Sequence, residues 1–395
     1  MINQQRMLEH LLELIQIDSE SFEEKDVADK LAAEMRAIGG EVTIDDAGEK
    51  LNGNTGNVFV RFPATADGAE PLFLSAHMDT VVPGKGVKPE VRDGKVVTDG
   101  TTILGGDDKS GCSIIVEVMR TLKEQNIPHG TVEICFSIAE EKGLEGAKLF
   151  DVSQLESHFG IVLDSDDPGI VCVRAPAADR MEWIIHGREA HAGVEPEKGL
   201  SAVKIAANAI ASVEFGRIDA QTTSNIGVVE AGGATNIISK KVRVLGEARS
   251  MDMEKLDRET RKLSSAFHKA VADAPSVEVD GEKIEARLEE TIERDYEAMN
   301  VPDDSPIVKL LQEAASAVGT SLVPAEMGGG CDANVFNQRG LETVNLGTGM
   351  RDIHTVKEWL DIAGFNDAGA VLFEAMRMNG ARKGLEADRE TASAK

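Results

Sequence analysis

The sequence predicts an α/β fold interrupted by a smaller α+β unit. Three observations carry this reading. Up to residue 179, short apolar runs alternate with amphipathic helical stretches. Over 180–296 the pattern changes to strand pairs and two long helices. After Pro302 and Pro306 the first pattern resumes.

Met7, Leu8, Leu11, Leu12 and Ile15 fall at helical spacing. A second helix carries Val27, Leu31, Met35 and Ile38 on one face and stops at Gly39-Gly40. Strand-length apolar runs follow at 58–62, 72–76, 132–138 and 161–163, with a helix over about 110–123 between the second and third. In the middle segment, 181–185 reads as a strand, 200–213 as an Ala-rich helix, 223–229 and 242–248 as strands, and 255–271 as a helix. The stretch 277–290 reads as a strand pair turning at Asp280-Gly281. A helix over 307–318, a strand over 343–346 and a helix over 365–378 complete the fold. From Asn379 no apolar stripe continues, so a frayed or disordered end is expected. The expected boundaries are 1–179 and 297–380 for the α/β domain, 180–296 for the insertion and 381–395 for the tail.

Composition bounds the function. Asp and Glu number 69 against 42 Lys and Arg, a formal charge of −27, and 42% of residues are hydrophobic. This is a folded acidic chain, unsuited to nucleic acid or to an anionic membrane, both of which need a basic surface. No apolar run reaches the ~18 residues of a membrane-spanning helix. Residues 1–14 mix Gln, Arg, His and Glu with Met and Leu, unlike a signal peptide. Cys112, Cys135, Cys172 and Cys331 form no CxxC pair, so neither a disulfide framework nor a thiolate zinc site is indicated. A reducing, cytoplasmic setting is the expectation.

Charged residues gather where apolar strands end. The 72–76 run leads into His77-Met78-Asp79. In an extended chain His77 and Asp79 share a side, which lets Asp79 orient His77 toward a metal; a structural histidine is the competing reading. Gly105-Gly106-Asp107-Asp108-Lys109 precedes a helix. Its carboxylates either cap that helix or reach forward to a cation. Glu140-Glu141 follows the very apolar 132–138 run. Neighbouring strand residues face opposite ways, so one can bind metal and the other handle protons; a solvated strand end is the alternative. Asp164 terminates 160–163, and His354 follows the 343–346 run. Two histidines and several carboxylates suit zinc, cobalt or manganese. No P-loop, no GxGxxG after a strand and no Gly-x-Ser-x-Gly elbow occurs.

These motifs, with EEKGLEGA at 140–147, AHAGVEPEKG at 190–199, ATNI at 234–237 and GGGCDAN at 328–334, closely resemble the peptidase T-like (tripeptidase) branch of a dinuclear-zinc metallopeptidase family. Carboxypeptidase G-like enzymes, aminoacylases and succinyl-diaminopimelate desuccinylases belong to the same family. The resemblance spans the chain apart from the tail. It implies a zinc-peptidase-like catalytic α/β domain with an inserted α+β lid that forms a homodimer. It implies two Zn2+ per subunit, with Co2+ or Mn2+ able to replace them. His77 and Asp164 would bind one ion, Glu141 and His354 the other, and Asp107 both. Asp79 would orient His77, and Glu140 would be the general base toward the bridging water. His191 would reach the partner subunit's site and stabilise the oxyanion. Asn236, Arg249 and the loop at Gly329 would bind substrate, Arg249 through a carboxylate.

Judged without the resemblance, His191 is an ordinary loop histidine, Arg249 a surface ion-pair residue and Asn236 a turn residue. Cys331 stands where similar sequences lead one to expect a hydroxyl residue, and a thiol there could confer sensitivity to oxidation or heavy metals. The expected activity is an exopeptidase on short peptides, an aminotripeptidase. A carboxypeptidase or N-acyl-amino-acid deacylase is the alternative, since the metal centre would be the same. A non-catalytic protein of this fold is disfavoured because Glu140 and all five expected ligands are present.

Overall fold

The apolar runs of the first segment become the middle of one nine-stranded sheet. Val132–Ser137, Leu72–His77, Phe159–Ser165 and Glu342–Gly347 lie side by side and run parallel. Every residue of the first two is buried, which explains their mostly apolar character, with Glu133 buried against Arg61 as the charged exception. Antiparallel strands flank this centre. Val58–Phe62 and Glu41–Ile44 lie on one side, Ile170–Ala175 and Met299–Asn300 on the other. Helix Gly106–Glu124 packs on the central strands and touches helices Gln4–Ile15 and Ile362–Ala381. Helix Pro306–Val318 opens with Pro at its start under a Ser305 cap and closes on left-handed Gly319.

The computed structural model describes residues 1–382. The expected disorder of 383–395 lies outside the described residues. Asn379 departs from expectation. The last helix runs Ile362–Ala381, and Asn379 is buried there with its Nδ2 donating to the Glu70 carbonyl at 2.8 Å. A polar side chain with a buried partner leaves no mark in a hydrophobic pattern.

The chain divides into two compact units, Met1–Ala175 with the chain from Met299 onward, and Pro176–Ala298. The second unit holds a five-stranded antiparallel sheet in the order Gly216–Arg217, Thr222–Ala231, Lys241–Ser250, Ala177–His186, Arg287–Tyr296. Helices Ala202–Ala211 and Met253–Ala272 cover one face. Alternation sends Met181, Trp183, Ile185, Val242 and Val244 into a core with Leu256, Leu263 and Phe267. The expected strand pair over 277–290 divides differently. Val277–Val279 and Glu282–Ile284 form a small hairpin with φ 54° at Asp280 and 82° at Gly281. Arg287–Tyr296 is a separate strand that pairs along Ala177–His186. Among the described residues no helix is long and apolar enough to cross a membrane.

Trp183 stacks flat on Phe267, with centroids 4.1 Å apart and planes 7° apart. Both rings are buried. Phe267→Ala should therefore cost about 3–5 kcal/mol. Urea unfolding followed by tryptophan fluorescence measures this, and a midpoint equal to that of the parent would show that the ring pair does not anchor this core.

Candidate metal centre

His77 is the last residue of Leu72–His77, where the pleat ends. Its Nδ1 donates to the main-chain carbonyl of Asp79 at 2.9 Å. That leaves Nε2 facing Asp107 Oδ1 at 3.1 Å and Asp164 Oδ1 at 3.8 Å. The Asp79 carboxylate, expected to orient His77, approaches Nδ1 only to 3.5 Å. It is engaged elsewhere, accepting the N–H groups of Glu140 at 2.9 Å and Glu141 at 3.3 Å and the Ser21 hydroxyl at 2.7 Å. Asp79 thus lies on the His77 side, as alternation expects, with its main-chain carbonyl making the shorter contact to Nδ1.

The two readings of Asp107-Asp108 divide between the neighbours. Backbone angles at both are non-helical within the first turn of Gly106–Glu124. Asp108 acts as a cap, with Oδ1 accepting Gly111 N–H at 3.0 Å and Oδ2 accepting His77 N–H at 3.2 Å. Asp107 projects between two histidines, Oδ1 toward His77 and Oδ2 toward His354 Nε2 at 3.1 Å.

Glu140 and Glu141 do not alternate across a strand. Val132–Ser137 stops short of them, Ala139 turns left-handed at φ 49°, and Glu140–Lys142 is a single 3-10 turn. Four successive N–H groups here are taken by side chains. Ile138 donates to Asn57 at 3.0 Å, Ala139 to Glu24 at 3.0 Å, and Glu140 and Glu141 to Asp79. Asp164 lies in Phe159–Ser165 and is fixed by Asn345, which accepts its N–H at 2.8 Å and donates to its carbonyl at 2.6 Å. His354 sits between the paired strands Met350–Arg351 and Trp359–Asp361, at φ 62°.

Three groups of donor atoms lie mutually within 4.8 Å: His77, Asp107 and Asp164; His77, Glu140 and Glu141; and Asp107, Glu141 and His354. Asp107 is common to the first and third. Nitrogen and carboxylate donors at this spacing fit divalent zinc, cobalt or manganese. The convergence of donors supports the fit. His354 Nε2 lies 2.9 Å from Glu141 Oε1 and 3.1 Å from Asp107 Oδ2, so three donor atoms face one point. Burial raises the proton affinity of Glu140, Glu141 and Asp164. Burial acts the same way on Asp107, but His354 and His77 outweigh it and hold that carboxyl below its ordinary range. The Asp107 and Glu141 carboxylates push His354 up to about 10. Cation binding at such a cluster displaces protons.

Several residues that shape the site gave no local signal: Glu24, Asn57, Asn345 and Glu358 are all distant in sequence from the groups they hold. Asp332 accepts the Ser137 hydroxyl at 2.5 Å, and burial pushes it up to about 6. Gly329 lies in the loop between Val323–Glu326 and helix Asp332–Gln338. Cys331 is 1% exposed and receives the Asn345 amide at 3.3 Å. Burial raises its thiol well above the ordinary value, so the expected reactivity lacks its thiolate. In the second unit, Ala190–His191 pairs with Ile237–Ile238, and Ala192 donates to the Asn236 carbonyl at 2.9 Å. His191 and Asn236 are thus neighbours, both exposed. Arg249 pairs with Glu247 at 3.0 Å, while its Nε is buried with no hydrogen bond among the described residues.

Parallel strands that deliver carboxylates and a histidine from their C-terminal ends to one buried cluster define a metal-dependent α/β hydrolase. The chain belongs to peptidase family M20/M25/M40, whose model matches residues 73–378, and is a metallopeptidase-type hydrolase. It is 42% identical over 363 residues to "Uncharacterized protein YqjE" of Bacillus subtilis strain 168, covering 92% of this chain and 95% of the relative. The crystal structure of aminopeptidase PepT from Bacillus cereus superposes with a TM-score of 0.82 at 39% identity, over 96% of this chain and all (100%) of that one. A tripeptidase structure from Staphylococcus aureus gives 0.86 at 36% identity, over 97% and 100%.

Glu24 offers a clean pH test. Its Oε1 accepts Phe22 N–H at 2.8 Å and Ala139 N–H at 3.0 Å. Burial, helped by the nearby charge of Asp79, raises it from 4.5 to about 7. A carboxyl raised on folding adds stability that is complete below 4.5 and is lost as pH rises through about 7. Glu24→Gln stays neutral and keeps an acceptor. In urea titrations of metal-free protein, the variant should gain on the parent by about 2–3 kcal/mol between acidic and mildly alkaline pH. A pH-independent difference would show that Glu24 ionises as an exposed group does.

Proposed function

We propose that this protein is an aminotripeptidase, removing the N-terminal residue from short unblocked peptides with the help of two bound divalent cations, Zn2+ in the first instance. The observation that carries the metal reading is the position of Asp107, one carboxylate oxygen toward His77 and the other toward His354. His77 and Asp164 would hold one cation, Glu141 and His354 the other, and Asp107 would serve both. The aminopeptidase and tripeptidase descriptions of two structures more than one-third identical to this chain support the substrate class.

Bound there, the cations supply Lewis acidity and a water of lowered pKa. The chain's own residues do the rest. Glu140 lies within reach of the cluster but outside the five assigned ligands, and its buried carboxyl favours the protonated form. With that proton displaced on cation binding, the freed carboxylate, of raised proton affinity, suits a group that takes a proton from water and delivers it to the departing amine nitrogen. Asp79 fixes Glu140 by its main-chain N–H and leaves the carboxyl free to act. The second unit supplies recognition. Arg249 offers a planar fork to the peptide carboxylate; Asn236 contacts the peptide, as does the loop at Gly329 of the first unit; and His191 stabilises the oxyanion in the partner subunit's site of a homodimer. Ile292, 41% exposed on edge strand Arg287–Tyr296, supports a pairing role for this unit. Four buried free thiols support a cytoplasmic location.

The metal-loaded protein is offered a dipeptide, an unblocked tripeptide, an N-blocked tripeptide and an N-acetyl amino acid. The expected result is cleavage of the unblocked tripeptide alone. Glu140→Gln should lower kcat about a hundredfold or more with metal content unchanged. Preferred cleavage of the blocked substrates would replace the aminotripeptidase reading with a carboxypeptidase or deacylase, and undiminished turnover by the variant would remove Glu140 from the proton path.

A further inference from the structure

Glu358 has no part in the chemistry described above, yet it is 3% exposed beside Asp107. Its Oε2 accepts the N–H groups of Leu104 at 2.8 Å and Gly105 at 2.9 Å, and its Oε1 accepts that of Asp107 at 3.1 Å. Both oxygens are thus committed to one turn, which lies more than 250 residues earlier in the chain. The fit is close: a Cβ added at Gly106 would stand 3.3 Å from Oε1.

Glu358 also belongs to the loop that carries His354. That loop is braced internally. Thr355 donates its hydroxyl to the Asp352 carbonyl at 2.8 Å, Glu358 donates its N–H to the Thr355 carbonyl at 3.0 Å, and Trp359 Nε1 reaches Asp352 Oδ2 at 3.2 Å. The offset between His354 and Glu358 is therefore fixed by local structure. One carboxylate ties this loop to the turn that presents Asp107, and so sets the 3.1 Å separation of His354 Nε2 from Asp107 Oδ2. His77 and Asp164 need no such tie, because adjacent parallel strands hold them. A second anion buried beside Asp107 is costly as packing. It is efficient as a bidentate acceptor that only a carboxylate provides.

We propose that Glu358 is a positioning residue that governs cation affinity at the site formed by Asp107, Glu141 and His354, and does so more strongly than at the site of His77, Asp107 and Asp164. This rests on the two-cation reading above. Glu358→Gln keeps the size of the side chain but replaces one acceptor oxygen with a donor, leaving at least one of the three N–H groups unpaired.

The test is a Co2+ titration of metal-free protein, following visible absorption with a competing chelator. The parent should take up two equivalents. The variant should bind the first as the parent does and the second about 10–100-fold more weakly, with an altered second-step spectrum. Two equivalents at parental affinities would overturn the assignment. A parent that does not take up two equivalents would instead sink the two-cation reading, which separates the two failures. Circular dichroism monitors folding. If Glu358→Gln does not fold, Glu358→Asp, which keeps both acceptors and withdraws them by one methylene, is carried through the same titration. Failure of both to fold would overturn the site-selective role in favour of a purely architectural one.

Discussion

Crowded negative charge is the constraint on which the site depends. Asp107, Glu140, Glu141 and Asp164 surround two histidines in three overlapping groups, each with ligand atoms within 4.8 Å, and only His354 has substantial contact with water. Carboxylates so close and so dry cannot all ionise alone. They must take up protons, pair with cationic histidines or share metal ions. The first two responses are visible in the raised proton affinities of Glu140, Glu141 and Asp164 and in the His354–Asp107 and His77–Asp107 pairs. The third would engage the converging donors of Asp107, Glu141 and His354 together.

The same constraint explains why main-chain N–H groups are so often captured by side chains here. A turn at the end of a buried strand leaves donors without a ladder partner. At 138–141 those donors go to Asn57, Glu24 and Asp79. Around 104–107 they go to Glu358. The two turns that present Asp107, Glu140 and Glu141 are therefore gripped from behind by groups that do not join the donor clusters. Fixed donors of this kind lose little on binding a cation or a transition state, because their geometry is set in advance.

The legibility of the sequence follows from the range of each interaction. Central strands buried on both faces are mostly apolar, so 72–76 and 132–138 are readable despite Glu133, and charges at their ends stand out. Short exposed strands such as Glu90–Arg92 carry no such pattern and were not foreseen. The geometry of Glu140-Glu141 departs from expectation because the pair lies past the strand, in a 3-10 turn, where period-two alternation no longer holds. Glu24, Asn57 and Glu358 were invisible because their partners lie 115, 81 and more than 250 residues away. Residue types that bear chemistry announce themselves, whereas those that hold them in place are ordinary until the chain is folded.

The two units carry different obligations. In the first, every donor is tied to others by contacts across the sheet, so that a change at Glu358 or Asp79 is felt at the cluster through main-chain bonds. In the second, His191 lies on a short strand and Asn236 beside its partner, while Arg249 stands on a strand paired on both sides and its side chain pairs with Glu247. On the proposed reading, proton transfer and metal binding depend on the tightly coupled unit, and peptide recognition on the loosely coupled one. Substitutions in the recognition group can then redirect substrate choice at little cost to the chemistry. On that reading, the substrate of this chain would be decided at Arg249 and Asn236, which lie in the second unit, rather than at His77 or Asp107.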